Sequence, residues 1–466
     1  MKKLASTSLR FTLAVLSLAC CLLAYNAQAQ SQYFTSAVVN NGTYSWDGAN
    51  WSVSGGTSSG PFASNWTPGD FARFYGVGAN TITVTVNAAE VNTGMYLNSG
   101  ASATLNINDA GSGTGSLSVN PNSPAVVTQN GFSWVTQGFL TGGGTVNLNA
   151  PIGGLGGVEE ESGGGNINLY GANTFTGGFL ATSSSTFIGY NNPASFGAPT
   201  SQIGFDGTTF AIMNNTGPST LNIVNPVQTI GTTGVDFIGN GVTSSGTWYL
   251  GGGASAINIR NNGVGTTVTL SGAMSATTGT VTYSGANGGT IVLKGANTYT
   301  GPTVVGVTGD TSIRLTLGAA NTIASSSGVT MAGGTLDPDG FHHAMTSTTL
   351  GLSASSTIDY SAGAAELDFA NSSGVAWTAA LTLNLTTAGA VNWNNSSDYL
   401  EIGTGPTGLT AGQLGEIEFN GADKGDAAIS AQGYVYDAGQ VPEPSTIALS
   451  LLGGLSLFWG IRRRTV

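Results

Sequence analysis

Gly171-Ala172-Asn173-Thr174-Phe175-Thr176-Gly177 returns 124 residues later as Gly295-Ala296-Asn297-Thr298-Tyr299-Thr300-Gly301, with Tyr299 in place of Phe175 as the single change. The residues in front of the two blocks agree in pattern, Gly165-Asn166-Ile167-Asn168-Leu169 and Gly289-Thr290-Ile291-Val292-Leu293. A strand is therefore expected to run into a Gly-Ala-Asn turn and out through a Thr-aromatic-Thr strand. In a stacked coil each residue has a place. Gly171, Gly177, Gly295 and Gly301 would supply positive φ at the turn. Asn173 and Asn297 would hydrogen-bond turn backbone, and Phe175 and Tyr299 would pack against neighbouring coils. A β-sandwich gives no reason to repeat a whole strand-turn-strand unit, whereas a solenoid does.

The flanking sequence fits the same architecture. Thr81-Ile82-Thr83-Val84-Thr85-Val86 alternates strictly, as a half-buried strand does. Short strand-like runs follow at Thr104 to Ile107, Leu117 to Val119, Thr145 to Leu148, Ile167 to Leu169, Ile257 to Ile259, Thr267 to Leu270 and Ile291 to Leu293, divided by Gly, Asn and Ser clusters. The chain of 466 residues holds 73 glycines and only 7% charged residues. That composition disfavours long helices, because each interior Gly costs roughly 1 kcal/mol against Ala. The fold class expected is all-β, a right-handed parallel β-helix, with the hand following the crossover rule for parallel strands. Coils of about 20 to 25 residues rising about 4.8 Å would give on the order of a dozen coils between Gly76 and Met345. The expected organisation is a leader at 1–29, a Trp-rich cap at 30–75, the solenoid at 76–345, a β-rich module at 346–440 and a sorting tail at 441–466.

Both ends carry addresses. Lys2, Lys3 and Arg10 precede an apolar stretch from Phe11 to Ala24 and then Ala27-Gln28-Ala29, the small-x-small pattern of signal-peptidase sites, so cleavage is expected after Ala29. At about fourteen residues the apolar stretch is short for a membrane span. Cys20 and Cys21 would leave with this leader, so no disulfide or thiolate site is expected in the mature chain. At the other end, Val441-Pro442-Glu443-Pro444-Ser445 leads into an apolar run from Thr446 to Ile461, closed by Arg462-Arg463-Arg464. Such a run can make a single membrane helix if the arginines snorkel to the headgroups, with the basic end on the cytoplasmic side. Between the ends lie five cations (Arg73, Arg260, Lys294, Arg314 and Lys424) and 22 of the 23 acids, so the body is near −17 against −12 for the whole chain. A body that acidic offers no basic footprint for nucleic acid.

Proline motif, span and terminal basic cluster, in that order, resemble the PEP-CTERM sorting signal of Gram-negative bacteria. The resemblance implies recognition at Pro442, Glu443 and Pro444 by an exosortase-type membrane peptidase, acting on an exported precursor tethered to the inner membrane. The paired blocks at Gly171 and Gly295 resemble the autotransporter-associated β-strand repeat of passenger domains, with Gly144 to Leu148 and Thr267 to Gly272 as degenerate copies. Ser372 to Trp377, Asn392-Trp393 and Gly408 to Leu414 resemble the closing module of repeat proteins with this tail. A membrane β-barrel of alternating strands, which true autotransporters carry at their end, is not expected, since the apolar run from Thr446 to Ile461 reads as a single helix. The function implied is an exported structural or adhesive protein of the cell surface or extracellular polysaccharide matrix.

Catalytic chemistry finds little support in the sequence, and no catalytic, cofactor or metal set is assigned. His342 and His343 are adjacent, so on a strand they would face opposite ways; they read as an exposed turn pair. Asp337-Pro338-Asp339-Gly340 reads as a turn by its Pro and Gly, and it lacks the further ligands of a calcium loop. Glu159-Glu160-Glu161 reads as a solvated loop leaving the solenoid. Trp46, Trp51 and Trp66 read as a cap over the end of the core. The competing readings are a carbohydrate-binding surface on these tryptophans and a polysaccharide-active β-helix enzyme, which would need clustered carboxylates on one face.

Overall fold

The computed structural model describes residues 30–440 apart from 35–40, 53–63, 77–80, 100–102, 112, 121–125, 130–131, 136–138, 142–143, 161–164, 183–186, 208–209, 232–233, 255, 310–311, 324–327, 387–397 and 423. The chain divides into two compact units, Met1–Asp206 and Gly207–Val466. Each is a parallel β-solenoid.

In the first unit a coil visits three sheets in turn. Phe71–Gly76, Thr81–Val86 and Ala89–Asn92 form one coil, and Gly94–Ser99, Thr104–Asp109 and Ser116–Val119 lie parallel to them in the next. Phe139–Thr141, Thr145–Leu148 and Ile152–Gly153 continue the three sheets. An antiparallel hairpin of Val126–Gln129 and Phe132–Val135 is inserted between the second and third of these coils. It accounts for the 41 residues separating Asn106 from Asn147, where 21 separate Asn147 from Asn168.

Strict alternation sorts the residues. Ile82, Leu105, Val146, Ile167 and Ile188 stack inward in register, beside a second buried column of Val84, Ile107, Leu148, Leu169 and Tyr190. Facing outward between them, Asn106, Asn147 and Asn168 form an amide ladder: Asn168 donates to Asn147 and Asn147 to Asn106, both at 2.6 Å, and Asn106 donates to Thr83 at 3.2 Å. At the start of the chain, Ser31–Phe34 and Gly42–Ser45 already run parallel to Phe71–Gly76 and Thr81–Val86. Trp46, Trp51 and Trp66 are buried and pack on one another with ring centroids 4.7–5.3 Å apart, against Phe34 and Phe74. Their faces are covered by other rings, so they form a core and offer no stacking platform for a sugar.

The second unit carries a nine-stranded parallel sheet from Leu221–Ile223 to Ile417–Phe419. A column of buried apolar side chains runs along it: Val242, Val268, Ile291, Leu315, Leu336, Ile358, Leu385 and Phe419. Thr410 caps the short helix Ala411–Leu414, and Gln413 within it donates to the carbonyls of Ser372 and Val375, both at 2.9 Å. The Ser372 to Trp377 and Gly408 to Leu414 segments are thereby tied together; Asn392 and Trp393 lie outside the described residues. No helix among the described residues is long and apolar enough to cross a membrane. The apolar runs at 11–24 and 446–461 lie outside them.

The repeated blocks have the same geometry in both units, and it corrects the roles expected for them. Asn173 accepts from the Ile152 amide at 2.8 Å and donates to the Ser195 carbonyl at 2.7 Å. Asn297 accepts from the Met274 amide at 2.8 Å and donates to the Thr322 carbonyl at 2.7 Å. Each asparagine thus joins the coil before it to the coil after it, where a bond within its own turn was expected. Gly171, Gly177, Gly295 and Gly301 do not have positive φ. They are glycines because a Cβ would overlap backbone of the preceding coil, Ala150, Gly156, Gly272 and Gly279 respectively. Thr174 to Thr176 and Thr298 to Thr300 are not strands. They hold the third side of the coil by single bonds to the coil below, as from Thr174 to Ile152 and from Thr298 to Met274. Phe175 and Tyr299 are fully buried, and the Tyr299 hydroxyl reaches Thr303 at 2.9 Å.

Asn297→Ala would leave the Met274 amide and Thr322 carbonyl buried without partners, a cost of roughly 2–5 kcal/mol. Urea denaturation should register that loss, with faster amide exchange at Met274; a change under about 0.5 kcal/mol would contradict the staple. Gly301→Ala should destabilise strongly, whereas Gly374→Ala, with open space around its Cβ position, should be close to neutral in the same assay.

Candidate functional site

Chemistry-bearing side chains gather on the third side of the second unit, where His342–Met345, Glu366–Phe369 and Tyr399–Ile402 pair in parallel. His342 is in register with Glu366 and Tyr399, and two residues on, Ala344 is in register with Asp368 and Glu401. Alternation puts all of these on the outer face. The His342 Nε2 lies 2.7 Å from Asp368 Oδ2 and 3.6 Å from Glu366 Oε2. The hydrogen bond to Asp368, supported by the charges of Asp368, Glu366 and Glu401, raises the His342 pKa above the usual histidine value. Tyr434 packs at a tilt against Tyr399 with centroids 5.3 Å apart and hydrogen-bonds the Glu401 carboxylate. Burial, with Asp368 and Glu366 adding to it, raises the Glu401 pKa.

His342 and His343 are therefore strand residues, not the turn pair expected. They do face opposite ways: His343 is fully buried. The Asn321 amide donates to its Nδ1 at 3.2 Å, which leaves Nε2 to donate to the Pro338 carbonyl at 3.2 Å. Burial pushes its pKa down to about 4, in keeping with a neutral ring.

Several acids elsewhere have structural partners. Asp337-Pro338-Asp339-Gly340 is the turn expected, closed by the Phe341 amide on the Pro338 carbonyl at 3.0 Å. Asp337 is engaged by Arg314 at 2.7 Å, and the same guanidinium binds Asp359 one coil on. Burial pulls the Asp359 carboxyl up, but Arg314, the Ser361 amide and the Thr386 hydroxyl outweigh it and the net shift is downward. Val158–Glu160 is a strand between Phe139–Thr141 and Phe179–Ala181, and Glu160 is fully buried. The solvated loop expected there is corrected, since the parallel ladder takes up this backbone; Glu161 lies outside the described residues. Near the first coils, Glu90 is raised to about 7 by burial and by its hydrogen bond and repulsion with Asp47.

Ala27, Ala29, Pro442, Glu443, Pro444, Arg462, Arg463 and Arg464 all lie outside the described residues. Comparison with known proteins bears on the tail: residues 440–464 match the family described as the PEP-CTERM protein-sorting motif. A stretch of 198 residues, 40% of the chain, is 29% identical to the adhesin BmaC autotransporter of Brucella suis biovar 1 (strain 1330). The similarity covers 5% of that much longer protein. It supports the resemblance of the coil blocks to passenger-type repeats. No solved structure matches the chain.

Two pH responses of opposite sign follow. Glu90, raised in the folded state, contributes stability that is present below the ordinary carboxylate pKa and lost as pH rises through about 7; Asp47→Asn should flatten that loss in thermal melts from pH 5 to 8. Asp359, lowered in the folded state, contributes stability that is lost as pH falls through its pKa. Arg314→Met would strand two stacked carboxylates and reverse this slope, making the variant less stable at pH 7 than at pH 4.5.

Proposed function

We propose that the protein is an exported, non-enzymatic structural or adhesive component of the bacterial cell surface or extracellular polysaccharide matrix, sorted by an exosortase-type peptidase at Pro442-Glu443-Pro444. The observation that carries this reading is the match of residues 440–464 to the PEP-CTERM protein-sorting motif. Three features support it. The leader pattern ending at Ala29 provides for export. The similarity to a protein named as an adhesin supports a surface role. The solenoid supplies a repetitive outer face of uncharged amides and hydroxyls, typified by the Thr83, Asn106, Asn147 and Asn168 row, a surface built for extended contact more than for one small substrate. Before processing, the run from Thr446 to Ile461 would hold the precursor in the inner membrane with Arg462 to Arg464 on the cytoplasmic side.

Mass spectrometry of the protein recovered from its host tests the reading. A new C-terminus between Pro442 and Ser445 is expected, with the basic tail absent, and replacing Pro442, Glu443 and Pro444 together with alanine should retain the tail. An intact Arg462-Arg463-Arg464 end on the surface protein would contradict sorting, and turnover of a polysaccharide by the purified chain would contradict the non-enzymatic role.

A further inference from the structure

We propose that His342, Glu366 and Asp368 form a binding site for a divalent transition cation of the zinc type. The three offer one imidazole nitrogen and two carboxylate oxygens, and these atoms all lie within 4.8 Å of one another. A tetrahedral ion about 2.1 Å from each ligand holds its ligands about 3.4 Å apart. The observed 2.7 Å and 3.6 Å from His342 Nε2 bracket that value, so a small side-chain adjustment admits an ion.

Asp368 makes the second, independent argument. It is 9% exposed, and while its Oδ2 meets His342, its Oδ1 is buried without a hydrogen bond. A buried carboxylate that lacks a donor at one oxygen is costly, and a cation held at its Oδ2 offsets the charge of the group. Among the described residues no lysine or arginine pairs with Glu366, Asp368 or Glu401, in contrast to the stacked pair of Asp337 and Asp359, which shares Arg314. The outer face of this sheet therefore stacks three carboxylates against one imidazole.

The backbone presets the ligands. His342 and Glu366 are direct partners across adjacent coils, and Asp368 follows two residues along on the same face, over the small Ala344. Glu401 continues the row one coil on, its carboxylate held by Tyr434, and adds negative potential without joining the ligand set. One nitrogen with two carboxylate oxygens suits Zn²⁺, whereas Ca²⁺ takes six to eight oxygens. Three protein ligands on an outer face leave a fourth position open to solvent. Bound there, the ion would staple the His342–Met345 coil to the Glu366–Phe369 coil.

The test uses the full-length chain stripped with a chelator and dialysed against zinc chloride. Wild type should bind one more Zn²⁺ per chain than His342→Ala, a difference that discounts any ion held by Cys20 and Cys21, and its melting temperature should rise with Zn²⁺ while that of the variant does not. His342 is 54% exposed in its side chain, so its loss should leave the circular dichroism spectrum unchanged. Glu366→Gln, as a second variant, should weaken binding at least tenfold. Equal Zn²⁺ counts in wild type and His342→Ala, no saturable binding, or displacement of Zn²⁺ by an equal concentration of calcium chloride would overturn the proposal.

Discussion

Within each unit, parallel pairing in register sets the residues of most described strands directly over their counterparts one coil earlier, about 4.8 Å away. Every other feature answers to that stacking. A residue is therefore tolerated only if it suits its register neighbours in the coils before and after it. Apolar side chains do so in the column from Val242 to Phe419, and asparagines do so by passing amide hydrogen bonds along the row from Asn168 to Thr83. Glycines in the repeated blocks do so by leaving room for the backbone below.

Charge does so badly. Two carboxylates in register repel at close range, and only 7% of the residues are charged. Where acids do stack, something intervenes. Arg314 spans Asp337 and Asp359; a single acid, Asp236, sits in register with Arg260 and accepts from Asn262. Asp47 and Glu90 instead meet through a raised pKa. On the His342 face three carboxylates gather with an imidazole and the Tyr434 hydroxyl but, among the described residues, no lysine or arginine pairs with them, which is why it stands out as a site.

Much of this was legible. The alternation of Thr81 to Val86 declared a half-buried strand, and the recurrence of the Gly171 block at Gly295 declared a stack of coils. What stayed hidden was register between coils. Coil length varies, with 21 residues between the register partners Asn147 and Asn168 and 24 between Asp236 and Arg260, so nothing in the sequence announces that His342 meets Glu366 or that Glu160 falls on an inner position. The glycines misled for a related reason: their need is a close approach by a neighbouring coil, which is a tertiary fact, while the expected positive φ is a local one. The tail was readable because proline motif, apolar run and arginine cluster are contiguous.

The most direct test of the stacked, in-register account measures distances along one outward column of the second unit. Asn258, Thr282, Val304 and Thr330 are successive partners in register. In a cysteine-free background, spin labels at Asn258 paired in turn with Thr282, Val304 and Thr330 should report separations that grow by about 4.8 Å for each coil. Separations that fail to increase in that order, as an antiparallel sandwich would give, would contradict the solenoid and the sites built on it.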